Sequence, residues 1–183
     1  MPLCCGTASS SCGERSRVER HTRRPNRLAN YDYSSAGYYF ITVCTKERAL
    51  YLRRGAQCAP ELLPPLTAAG TAAEWAILQI PAHYPHVCVD KYVIMPNHVH
   101  MILAVAAAGG RALRAPTISH IIRTWKEAVT KRIDLPLWQK SFHDHVIRGE
   151  ADYLRIWAYI DTNPLKWRED RYYMSPVEGE IRP

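Results

Sequence analysis

Across 183 residues there is no apolar run that approaches the ~20 residues needed to span a bilayer, which excludes a membrane-spanning helix. The first residues, MPLCCGTASSSCGERS, lack a basic start followed by an apolar stretch and do not read as a secretory signal. Six cysteines are present without a disulfide framework or a paired C-x-x-C zinc site. Cys4, Cys5 and Cys12 crowd a Ser/Gly-rich start, whereas Cys44, Cys58 and Cys88 stand singly. Cys44 and Cys88 fall in strand-like runs, where a small buried thiol is the ordinary reading. No segment repeats. These absences lead to the expectation of a cytoplasmic protein with no membrane attachment.

Acidic residues are also in short supply. Against 24 Lys and Arg there are 17 Asp and Glu, a formal charge of +7, and the isoelectric point is about 9.2. Such an excess suits a polyanionic partner, nucleic acid being the commonest. Residues 1–30 hold six arginines against two glutamates, a net +4. They read as a basic, flexible N-terminal arm, either a solvated extension or a strip that lies along phosphates. Residues 31–183 read as a single domain, and a hydrophobic content of 47% is enough for a sizeable core.

GYYFITVCT (37–45) is aromatic and β-branched, hence a strand. Residues 58–70, broken by three prolines and Gly70, read as a loop, and 71–85 as a helix. Strands are expected over 86–95 and 98–105, separated by a Pro96-Asn97 turn. Ile118, Ile121, Ile122, Trp125, Ala128, Val129 and Ile133 recur at helical spacing within 116–133. A fourth strand follows over 137–147, then a helix over 150–163 that stops at Pro164. The order β-α-β-β-α-β plus a last helix predicts an α+β, ferredoxin-like fold: an antiparallel four- to five-stranded sheet with helices packed on it, plus a C-terminal helix.

His98 and His100 stand two apart in YVIMPNHVHMIL. Side chains alternate along a strand, so both imidazoles share one face with Ile102 while Val99, Met101 and Leu103 share the other. Such a pair makes two legs of a metal site, or two hydrogen-bonded histidines in a polar sheet face. In WAYIDTNP, Tyr159 and Asn163 are four apart and share one helical face. If that helix covers the histidines, Asn163 can supply a third, oxygen ligand and Tyr159 can set its phenol beside the ion. Two imidazoles and one oxygen with open positions suit Mg²⁺ or Mn²⁺ better than a closed structural zinc site.

These blocks resemble a known family. YVIMPNHVHMIL resembles the His-hydrophobic-His motif of the single-tyrosine HUH transposases, and YIDTNPLKW the tyrosine-bearing helix of their REP-associated branch. LANYDYSSAGYYFITVCTKER, IIRTWKEAVTKRI and LWQKSFHDHVIRGEADY match in the same order, so the resemblance runs over about 23–170. It does not extend to Arg53–Ala69 or to the first 20 residues. It implies a metal-dependent endonuclease and strand transferase acting on single-stranded DNA, often hairpin-flanked, through a covalent 5′-phosphotyrosine. His98 and His100 would hold the divalent ion, Asn163 would be the amide ligand and Tyr159 the nucleophile. The alternative is a domesticated relative that grips single-stranded DNA hairpins and cuts little or not at all. Monomers and helix-exchanged homodimers are both expected forms, with the REP-associated branch favouring the monomer.

His143 and His145, flanking Asp144, form a second H-x-H, readable as a rival metal site or as a structural or substrate-positioning block. Lys126, Lys131, Arg132 and Arg148 are candidate DNA contacts or a solvated face. Trp125, Trp138 and Tyr153 can stack bases, with core packing the stronger reading for Trp125.

Overall fold

Period-two alternation divides the sheet into two faces with different tasks. The computed structural model describes Leu28 and residues 31–54, 63–107 and 116–169. The rest of the expected arm, Cys4, Cys5, Cys12, Cys58 and residues 55–62 of the Ala/Pro-rich segment lie outside the described residues. Four strands, β1 (Gly37–Cys44), β2 (Val87–Ile94), β3 (His98–Val105) and β4 (His143–Ile147), pair antiparallel in the order β2-β3-β1-β4. On one face Tyr39, Ile41 and Val43 of β1 and Val99, Met101 and Leu103 of β3 are fully buried. They pack with α1 (Ala68–Leu78), through Ala72, Ala73, Ala76 and Ile77, and with α3 (Ile118–Ile133). α3 contributes Ile118, Ile121, Ile122, Trp125 and Val129, as its helical spacing predicts. This is the ferredoxin-like α+β arrangement, with four strands of the expected four or five.

The opposite face of the sheet carries α4 (Glu150–Thr162), where Ile156 and Ile160 pack on Ile102, flanked by Phe40, Val93 and Ile147. Gly149, at φ 130°, turns the chain from β4 into this helix in a conformation L side chains avoid. Tyr153 also ties α4 to β2, donating to Asp90 Oδ2 at 2.5 Å. Asp90 stands where the β2–β3 register slips between Val89 and Lys91. Among the described residues no helix is long and apolar enough to cross a membrane.

Three boundaries differ from expectation. The helix expected over 71–85 starts earlier, because Thr67 Oγ1 accepts the Gly70 N–H at 3.0 Å and caps it. It also breaks at Gln79 into α1 and a short α2 (Ile80–His83), since Pro81 has no N–H to continue the ladder. The fourth strand shrinks from 137–147 to 143–147. Trp138 makes only an isolated bridge to Thr45, and the carbonyls of Gln139 and Ser141 are taken by the Lys126 ammonium, each at 2.9 Å.

Candidate active site

β3 delivers His98 and His100 to the α4 side of the sheet, both buried. Asn97 Oδ1 lies 2.6 Å from His98 Nδ1; a carbonyl oxygen can only accept, so the proton is on Nδ1 and Nε2 keeps its lone pair. His100 Nδ1 is 2.8 Å from Thr42 Oγ1, which the β1–β3 register sets directly opposite. The two imidazole centroids are 4.5 Å apart with planes at 71°. Burial, then the neighbouring charges of His98, Arg48 and His143, hold His100 well below the ordinary histidine pKa. It is therefore neutral at physiological pH, the form that ligates a metal.

α4 brings Tyr159 onto this pair. Its hydroxyl is 3.4 Å from His100 Nε2. Its ring meets His100 and Phe40 edge-on, at centroid distances of 5.2 and 6.0 Å. The phenol remains 45% exposed, so a substrate can reach it. These side chains open on a cleft of about 460 Å³ whose wall continues through Arg48, Gln139, Ser141, Phe142 and His143.

The donor set fits a divalent cation. Each Nδ1 is held by an oxygen of the protein, the arrangement that orients histidine ligands at metal centres. Among the described residues no group of three or more His, Cys, Asp or Glu side chains is placed to hold a metal. The pair is thus two donors of an incomplete shell. Asn163 sits one turn beyond Tyr159 as the C-cap of α4, half-buried, and is not among the side chains that line the cleft. The structure brings Tyr159, His98 and His100 together and leaves Asn163 outside.

No family model matches the chain. It is 33% identical over 175 residues to an uncharacterized protein of Haemophilus influenzae, covering 85% of this chain and 95% of that one. It is 24% identical over 150 residues to a protein of the same organism named "Putative REP-associated tyrosine transposase", covering 76% of this chain and 77% of the other. A solved REP-associated tyrosine transposase, bound to a REP hairpin, superposes with a TM-score of 0.55 at 25% identity. That likeness covers 76% of this chain and 73% of its counterpart. In sequence and in fold the chain is thus similar to REP-associated tyrosine transposases.

The two histidines of the second H-x-H have different surroundings. His143 and His145 face the cleft side, whereas Asp144 turns to the other face and is buried with Oδ1 unpaired. His145 Nε2 is 2.7 Å from Asp152 Oδ2; that bond and Arg155 hold Asp152 down to about 2. His143 lines the cleft. Of the candidate DNA contacts, Lys126 is engaged with the two carbonyls described above, and burial lowers its pKa to about 8. Lys131 and Arg132 are exposed on α3, across the sheet from the histidines, and Arg132 lies 4.5 Å over the Trp75 ring. Arg148 is exposed just past β4. Trp125 is core, its ring centroid 4.7 Å from that of Trp138 and tilted 39° to it. Burial, then the Asp90 carboxylate, push the Tyr153 phenol up to about 12.

Sequence reasoning missed Thr42, Arg48 and Phe40 as parts of the cleft and Asn97 as the partner of His98. Asn97 was visible only as a turn residue. Thr42 needs the strand register to be seen, and nothing in TKER marks Arg48.

Proposed function

We propose that this protein is a metal-dependent endonuclease and strand transferase for hairpin-containing single-stranded DNA, with Tyr159 as nucleophile. The observation that carries this reading is the approach of the Tyr159 hydroxyl to 3.4 Å from His100 Nε2, in a cleft shared with His98. The DNA class rests on the family and on the REP hairpin bound by the solved relative. His98 and His100 would hold Mg²⁺ or Mn²⁺, which when bound supplies Lewis-acid neutralisation of phosphoryl charge. Asn163 as the third, oxygen ligand rests on the family resemblance, and Asn163→Ala tests it by lowering Mn²⁺ affinity.

The chain's own residues perform the rest. Phe40 and His100 pack against the Tyr159 ring edge-on and hold it at the mouth of the cleft. The phenolic oxygen attacks phosphorus and the P–O3′ bond breaks. The DNA 5′ end is then joined to Tyr159 as a phosphodiester, and the other fragment leaves with a free 3′-hydroxyl. The phenol loses one proton and the departing oxygen gains one, so none is released overall. The covalent link conserves the bond energy, and a 3′-hydroxyl can later reverse the step and join strands.

The test is incubation of an end-labelled hairpin oligonucleotide carrying single-stranded flanks with protein and Mg²⁺ or Mn²⁺. A DNA–protein adduct on a denaturing gel is expected from the wild type and absent from Tyr159→Phe, a loss of at least ~10³-fold. Tight hairpin binding with no adduct under either metal would leave the non-cleaving binder as the better account.

A further inference from the structure

We infer that Arg48 is the residue that grips the phosphate attacked by Tyr159, an assignment that rests on the proposed nuclease reading. Among the described side chains that line the cleft it carries the only Lys or Arg charge. A phosphodiester enters with one negative charge, and its transition state spreads further charge over the non-bridging oxygens. A planar guanidinium matches two of those oxygens at once, which a lysine cannot do.

The backbone that presents Arg48 is unusual. Glu47 (φ 55°) and Arg48 (φ 60°) are consecutive non-glycine residues in the left-handed region, which L side chains normally avoid. Strained residues persist where their surroundings over-determine them, and they concentrate at functional sites. Here the surroundings are explicit. The Arg48 N–H donates to Thr45 O and the Ala49 N–H to Lys46 O, both at 3.1 Å. The buried Thr45 hydroxyl lies 2.7 Å from Ala49 O and 2.9 Å from Asn97 O. Thr45 N–H also donates to Asn97 O at 3.0 Å, and Leu52 N–H to Pro96 O at 3.0 Å. The turn bearing Arg48 is therefore bolted to the Pro96-Asn97 turn that leads into His98. The backbone that carries Arg48 and the strand that carries the histidine pair are thus fixed to each other, which a phosphate-positioning group requires.

The experiment uses full-length Tyr159→Phe protein, so that binding is read without cleavage, with Arg48→Gln and Arg48→Lys added to it. Fluorescence anisotropy is measured on a set of flanked hairpins, each bearing one uncharged methylphosphonate along the unpaired strand. On unmodified DNA, Arg48→Gln is expected to weaken binding about 10-fold and Arg48→Lys less. At one linkage the methylphosphonate alone should weaken binding, and Arg48→Gln should add nothing. That linkage should be the one the wild type cuts. An equal loss from Arg48→Gln on every oligonucleotide, or no loss on any, overturns the assignment. An Arg48→Gln loss that is missing at one methylphosphonate linkage and present on the other oligonucleotides supports it even without any adduct from the wild type, and that combination would sink only the nuclease reading.

Discussion

At the scale of single residues, the site depends on the oxygens that hold the two imidazoles. Thr42 Oγ1 and Asn97 Oδ1 each engage the Nδ1 of one imidazole and so orient its ring, with Nε2 on the far side. Removing such a partner typically lowers metal affinity 10–100-fold. Thr42→Val keeps the shape of a β-branched strand residue and is expected to weaken Mn²⁺ binding by roughly 10-fold, read by titration of the free protein; unchanged affinity would contradict the role given to Thr42. His100 also sets a pH dependence. Its folded pKa lies below its unfolded value near 6.5, so below that pH the unfolded chain binds a proton the native protein refuses. Stability from this group is present above about pH 6.5 and declines as pH falls below it. The urea midpoint should therefore drop between pH 7.5 and 5.5, and drop less in His100→Gln; equal drops in both would contradict it. His98, His100 and Tyr159 could be read in the sequence because strand and helix periods place them on predictable faces. Thr42 could not, since its meeting with His100 depends on a register set by the whole β1–β3 pairing.

At the scale of elements, α4 lies against the cleft side of the sheet. Ile156 and Ile160 seat it on Ile102, and Tyr159 rides on the same turn as Ile160. Ile160→Ala should cost about 2–4 kcal/mol in urea denaturation. It should also slow adduct formation at saturating DNA, because the phenol loses its placement; wild-type adduct rates would show that α4 is positioned otherwise. On the other face, α1 approaches the chain closely at Gly70, where an added Cβ would run into the Leu52 carbonyl and crowd Leu66. Gly70→Ala should destabilise by roughly 1–3 kcal/mol with the metal site unaltered at low temperature. Strands 37–45, 86–95 and 98–105 and helices 116–133 and 150–163 were legible from periodicity. The split at Gln79 was signalled by Pro81 but outweighed by the apolar pattern around it. The shortened fourth strand was not legible, because the claim of Lys126 on the Gln139 and Ser141 carbonyls is a tertiary event.

At the scale of the whole molecule, one chain folds its last helix back over its own sheet and supplies both histidines and Tyr159 to a single cleft. Histidines and tyrosine supplied by the same chain make a specific prediction for mixtures. His100→Ala and Tyr159→Phe should each fail to form an adduct, and mixing them should restore none; recovery towards half of wild-type activity would mean that helices exchange between chains. The central claim, that Tyr159 joins DNA to the protein, has a more direct test. Trypsin should release residues 156–166, IWAYIDTNPLK, which contain a single tyrosine. After incubation with hairpin DNA and Mn²⁺, nuclease trimming and digestion, mass spectrometry should find that peptide carrying a nucleotide through Tyr159. A nucleotide mapped to any other residue, or that peptide found only unmodified while an adduct is visible on the gel, would contradict the account.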